Sequence, residues 1–202
     1  MKVKSNYVGN MKRLVTLLLI LFCKTAMSQD VVDHYYNFGG AITEGKESSA
    51  LMLAEKILPE SSLLSAKQQA IFFYKLAGLF ENLKNTEQAI NYYKRSLEIE
   101  PNYYVPHMAL GYLYLSQANL LANQINDEKK DAVLQKKYVG AYNNKLKQAL
   151  PHLEKAMACD PNDQVLSSIN FAYKAFNDTV SLHSLNSRLR ELEKGCVTLL
   201  TE

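Results

Sequence analysis

Tryptophan is absent from these 202 residues, glycine occurs only 8 times and proline only 5. So few breakers leave little material for short strands and tight turns, and favour helices. Histidine (4) and cysteine (3) are also scarce. No two of His34, His107, His152 and His183 stand at ligand spacing, and no HExxH, CxxC or EF-hand loop occurs, so no metal site is expected. GxSxG and GxxxxGK[ST] are missing, and Gly39-Gly40 lacks the strand-loop-helix surroundings of a phosphate cradle. Glu44, Glu47, Glu55 and Glu60 are scattered rather than paired for acid–base work. Cys159 precedes Asp160-Pro161 at a helix end, with no evident base beside it. These absences predict a chain that is not an enzyme and carries no cofactor.

Acidic residues are missing from residues 1–28, which hold five of the 23 basic residues. The net charge of +3 therefore resides in this stretch, and the remainder is slightly acidic. Nothing after residue 28 gathers the basic face that phosphate binding needs, so nucleic acid is excluded as a partner. Lys12-Arg13 precedes an apolar run, Leu14 to Phe22, and then small residues Ala26 and Ser28. This is the order of a secretory signal peptide cleaved after Ser28. The rival reading is an uncleaved anchor, although the run is shorter than the ~20 residues that cross a bilayer. Met11 also suits a translation start. A lipid-carrying Cys23 is disfavoured by bulky Phe22 before it and Lys24 after it. Export permits a bond between Cys159 and Cys196, but two distant cysteines define no framework and suit small half-buried side chains equally.

Two segments align internally. Ala89, Tyr93, Ser96 and Glu100-Pro101-Asn102 match Ala149, Leu153, Ala156 and Asp160-Pro161-Asn162. Each reads as a helix with a small-bulky-small stripe, stopped at the residue before proline. Ahead of the first, Phe73, Leu76, Ala77 and Phe80 share one helical face. Asn85 or Thr86 is placed to cap the helix that follows. His107, Leu110, Gly111 and Tyr114 repeat the spacing.

On these residues the sequence resembles the tetratricopeptide repeat of exported bacterial proteins. Phe73, Leu76, Ala77, Phe80, Ala89, Tyr93, Ser96 and Pro101 carry the likeness over residues 70–103. Leu110, Gly111, Tyr114, Ala149, Leu153, Ala156 and Pro161 carry it over 104–163, where His107 replaces the usual large aromatic. Weaker units follow at 33–62, with Ala50, Ala54 and Ile57, and at 164–194, with Leu166, Ile169, Tyr173, Leu182, Leu185, Leu189 and Leu192. The resemblance implies an all-α solenoid of antiparallel helix pairs over residues 29–202, each pair burying its stripe against the next.

Tyr114 to Ala149 spans 35 positions where Phe80 to Ala89 spans 9, so 26 extra residues (35 − 9) are inserted within 115–148. Leu110, Tyr114, Gln117, Leu121 and Ile125 continue one stripe, and Tyr138, Tyr142, Leu146 and Ala149 form another. The expectation is two helices of about 25–30 residues in an antiparallel hairpin, each around 40 Å long. A disordered linker is the alternative, and Gly140 is the weak point.

The resemblance further implies a non-catalytic scaffold, periplasmic or secreted in a Gram-negative cell, that binds a protein or peptide in a concave groove lined by first helices. Its groove positions correspond to Tyr74, Gly78 and Glu81, then Met108, Tyr112 and Leu115, then Ser168, Ala172 and Ala175. The Lys and Asn set with which some members grip a terminal carboxylate is lacking. Met108, Tyr112 and Leu115 could equally pack against the long second helix. The alternative function is a structural envelope subunit bound through its convex face or hairpin, which exposed apolar side chains on the hairpin would favour.

Overall fold

The computed structural model describes residues 29–127 and 131–199. The expected signal peptide, Met11 and Cys23 lie outside the described residues. Among the described residues the chain is all-helical, and its only bridge is the isolated parallel pair Tyr103–Val197. No helix there is long and apolar enough to cross a membrane. The order is α1 (29–43), α2 (Glu47–Ile57), a 3₁₀ helix (Leu58–Leu63), α3 (Ala66–Asn82), α4 (Thr86–Ile99), α5 (Tyr104–Asp127), α6 (Ala132–Cys159), α7 (Asp163–Ala175) and α8 (Thr179–Glu193). The chain divides into two compact units, one ending at Phe72 and one beginning at Phe73.

In the first unit, Val31, Phe38 and Ala41 of α1 are buried, as are Ala50, Ala54 and Ile57 of α2. Phe38 meets Phe72 edge to face, with centroids 5.1 Å apart. Ser65 opens α3 with reciprocal bonds: its hydroxyl accepts from the Gln68 amide, and the Gln68 side chain accepts from the Ser65 amide.

In the second unit, Asn85 caps α4 by accepting from the Gln88 amide, and Glu100 closes it. Asp131, Asn162 and Asp178 cap α6, α7 and α8 in the same way. Asp160 ends α6 one residue before Pro161. One core joins Ala77 of α3, Ala89 and Tyr93 of α4, Leu110 and Tyr114 of α5, Leu146 and Leu153 of α6, Ile169 and Ala172 of α7, and Leu185 of α8. Helices α5 and α6 pair along their length. They run 24 and 28 residues, and α6 passes through Gly140 without interruption. Pro151 also sits inside α6, on its exposed side. There the missing N–H leaves the Lys147 carbonyl to water.

The hairpin is close because Gly111 has no side chain. A Cβ there would lie 2.6 Å from Leu153 Cδ2 and 3.4 Å from the Leu153 backbone nitrogen. Beyond this contact the two helices project. From Asn119 to Lys145 no described residue is fully buried.

The carboxy-terminal segment is sewn back onto this unit. Val197 N–H donates to Asn102 O and Tyr104 N–H to Val197 O. A Cys159–Cys196 disulfide ties the end of α6 to the residue beyond Gly195, which decides between the two readings of these cysteines and leaves no thiol at Cys159. Lys155 is buried, and its ammonium donates to Asn102 Oδ1, Leu192 O and Gly195 O, each at 3.0 Å. Burial pulls its pKa below the ordinary lysine value, partly offset by Glu100.

Alanine at Gly111 gains helix propensity but overfills a packed core, so Gly111→Ala is expected to lower stability by about 1–3 kcal/mol. Nothing lies within 4 Å of a Cβ at Gly140, so Gly140→Ala is expected to raise it by about 0.5–1 kcal/mol. Urea unfolding of the two variants checks the contrast; a Gly111→Ala midpoint at or above the parent's would remove the argument from close approach.

Candidate functional site

The three expected groove residues of α3 converge on one side chain. Tyr93 of α4 donates its hydroxyl to Glu81 Oε2 at 2.9 Å, and the same hydroxyl lies 3.7 Å from a Cβ placed on Gly78. The Tyr74 ring sits 5.9 Å from that of Tyr93 and 5.5 Å from Tyr103. Burial, then the neighbouring Glu81, pushes the Tyr93 phenol well above its ordinary value. Tyr74 and Gly78 are half-buried, Glu81 is exposed, and Tyr93 and Tyr103 are buried, so this stripe presents one carboxylate and part of the Tyr74 ring.

Met108, Tyr112 and Leu115 of α5 are all half-buried. Tyr112 and Leu115 pack against the core, which matches their alternative reading, whereas Met108 is not among the residues packed on it. Ser168 is half-buried and its hydroxyl is committed to the Gln164 carbonyl at 2.9 Å. Ala172 is corrected: it is fully buried and cannot meet a partner. Val165, Ile169, Ala172 and Tyr173 form the inward stripe of α7, so Ala172 belongs to the core face. Its neighbour Phe171, 53% exposed, is the large side chain α7 shows to water, and Ala175 is exposed as well.

The projecting hairpin exposes Leu120 (64%), Val133 (80%) and Val139 (39%). Leu120 and Val139 each stand seven residues from the facing ends of their helices, Asp127 of α5 and Ala132 of α6. At the helical rise each lies about 10 Å from that end of its helix, on two helices that pair.

Sequence reasoning missed two polar clusters, because each joins residues far apart in the chain. Glu154 of α6 is buried, and Arg188 of α8 grips it with Nε on Oε2 at 3.0 Å and Nη2 on Oε1 at 2.7 Å. Tyr173 donates its hydroxyl to Glu154 Oε1 and accepts from Arg188 Nη2 at 2.8 Å. Burial and the bond to Glu154 push the Tyr173 phenol up to about 12. Arg188 Nη1 donates to Ser181 O and Ser184 Oγ, so every guanidinium nitrogen is engaged. A cavity of about 490 Å³ lined by Pro151, Glu154, Ser187, Arg188, Glu191 and Leu192 opens beside the pair. With its cation saturated, the cluster clamps helices and offers a ligand no donor. The available signal was Glu154 itself, standing four residues from buried Leu150 and buried Ala158 on either side.

The second cluster pairs His107 of α5 with His152 of α6, Nδ1 to Nδ1 at 2.8 Å. His107 Nε2 lies 3.0 Å from Pro101 O, which only accepts, so Nε2 carries the His107 proton. Its Nδ1 therefore accepts, and His152 donates. Tyr114 stacks on His152 at 5.9 Å. Burial lowers both imidazoles; His152 falls to about 4, with His107 and Lys94 adding repulsion. No group of three His, Cys, Asp or Glu suited to a metal occurs among the described residues.

Comparisons of the chain with protein-family models, curated proteins and solved structures return no match.

Arg188→Met strands a buried carboxylate and is expected to cost about 3–5 kcal/mol, whereas Glu154→Leu with Arg188→Met is expected to recover most of that loss. Denaturant titrations of the single and double variants measure it, and equal losses in both would show that the pair is not the source. The histidine pair sets a pH dependence. The folded chain holds these rings neutral while the unfolded chain protonates them near pH 6.5. Stability is therefore full above about pH 6.5 and falls as pH drops towards about 4. Unfolding midpoints at pH 7 and pH 5 should differ less in His107→Phe/His152→Phe than in the parent; an unchanged difference would assign the dependence to other groups.

Proposed function

We propose that this chain is an exported, non-catalytic scaffold of tetratricopeptide type that holds a protein partner on its projecting α5–α6 hairpin. The observation that carries this reading is the exposure of Leu120, Val133 and Val139 on two helices that bury nothing fully from Asn119 to Lys145. A hairpin serving only the core would present polar residues along that length. The repeat reading is supported by small buried residues at the helix crossings, Ala77, Ala89, Ser96, Gly111, Ala149 and Ala156. It is supported too by helices ending at Glu100 and Asp160. Export is the expectation from the basic-apolar-small order of residues 12–28, and it suits a chain with a Cys159–Cys196 disulfide.

Within α5 the groove reading rests on Met108, since Tyr112 and Leu115 are turned to packing. One experiment separates the two surfaces. Photo-crosslinking residues placed at Leu120, Val139 and Met108 are expected to capture the same protein from the first two positions and not from the third. Leu120→Glu/Val139→Glu is expected to weaken binding of that protein by about tenfold or more, a loss near 1.4 kcal/mol, without changing helix content. Capture from Met108 alone would move the site to the groove, and capture from none of the three would end the scaffold reading.

A further inference from the structure

The segment beyond α8 lies against the start of α5 and the end of α6 as a strap, and little besides its disulfide holds it there. Val197 N–H donates to Asn102 O at 3.0 Å, and its carbonyl accepts from Tyr104 N–H at 3.3 Å. The Gly195 carbonyl accepts from the Lys155 ammonium. Lys194 pairs with Glu191 at the end of its own helix, which adds no tie across the strap. No residue from Lys194 to Leu199 is buried, and none belongs to the core that joins α3 to α8. Burial of apolar surface is the main source of adhesion, and each hydrogen bond adds little net because water competes for it. The covalent Cys159–Cys196 bond is therefore the strong tie.

What lies beneath the strap is withdrawn from water. Tyr103 is wholly buried, and Lys155 is 5% exposed. A Cβ on Gly195 would stand 2.9 Å from Asn102 Oδ1 and 3.5 Å from Lys155 Nζ, so Gly195 seats directly on that pair. The disulfide, by contrast, is within reach of solvent: Cys196 is exposed and Cys159 half-buried.

We propose that Cys159 and Cys196 form a redox latch on this strap. While the bond is intact, the strap covers Asn102 and Lys155. When the bond is reduced, the strap leaves and the rest of the unit stays folded. A dithiol supplies the electrons. One of its thiolates attacks the exposed Cys196 sulfur, forming a mixed disulfide and expelling Cys159 as a thiolate, which takes up a proton. The second thiolate of the reductant then attacks the reductant's own sulfur in the mixed disulfide and expels Cys196, which takes up the second proton. The reductant leaves as a disulfide, two electrons and two protons have passed to the protein, and the reverse exchange closes the latch. The latch does not depend on how the hairpin is used. If the chain is exported, closure follows arrival in an oxidising compartment.

Amide hydrogen exchange on the folded protein, before and after treatment with about 10 mM dithiothreitol, tests this. Thiol alkylation and mass spectrometry verify that the bond is reduced. In the reduced protein the Tyr104 and Val197 amides are expected to exchange about tenfold or more faster, while those of Leu110 and Leu153 keep their protection. An amine-reactive N-hydroxysuccinimide ester should label Lys155 in the reduced protein and not in the oxidised one. Cys159→Ala/Cys196→Ala should show the open pattern without reductant and no change with it; should that variant not fold, the reduced parent chain carries the same test. The proposal is overturned if the bond resists dithiothreitol in the folded protein. It is overturned if Tyr104 and Val197 stay as protected, or Lys155 as unreactive, after reduction. It is overturned equally if the Leu110 and Leu153 amides lose protection with the others, since the bond would then hold the whole unit and not the strap.

Discussion

The contact of α5 with α6 at Gly111 and Leu153 is the constraint on which the second unit rests. A Cβ at Gly111 would collide with the Leu153 side chain, so a residue without one lets that side chain seat against the α5 backbone. Once it does, Leu110 and Tyr114 on one side and Leu146, Ala149 and Leu153 on the other are committed to a shared core. The remaining geometry follows from that spacing. It brings His107 against His152, and it leaves Gln117 and Gln148 around one hollow.

Much of this was legible in sequence because it depends on neighbours along the chain. Helix ends at Glu100 and Asp160, the cap at Asn85 and the long helices around residues 126–131 all follow from local rules. The small and bulky positions from Ala89 to Ala156 are buried as their period requires. What escaped is what the fold creates by bringing distant residues together. Glu154 and Arg188 are 34 residues apart, and His107 and His152 are 45 apart. No spacing rule spans such gaps. Ala172 was misplaced for a finer reason: Phe171 and Ala172 adjoin in sequence, yet one faces water and the other the core. The cysteine pairing depended on where α8 ends relative to α6, which periodicity does not specify.

The unit treats its buried polar groups in three ways. Glu154 is neutralised by a planar cation that matches it in shape. Lys155 instead receives only neutral oxygens, two of them main-chain carbonyls at or just past the end of α8, where a positive charge is favoured by the helix dipole. The Oε1 atoms of Gln117 and Gln148 have no hydrogen-bond partner among the described residues. The first two arrangements are complete in themselves and hold helices together.

The arrangement of the hairpin also has a consequence for the order in which the chain acquires its shape. Residues facing each other near the turn between Asp127 and Ala132 are close in sequence, so closing them into contact costs little loop entropy. The seam of Tyr103 with Val197 closes α5 to α8 into one long loop. Sequence separation therefore favours zipping of the hairpin towards Gly111 over joining of the carboxy-terminal segment as the entropically cheaper step. The segment that buries least in the finished unit is thus the one whose contacts cost the least chain entropy to close.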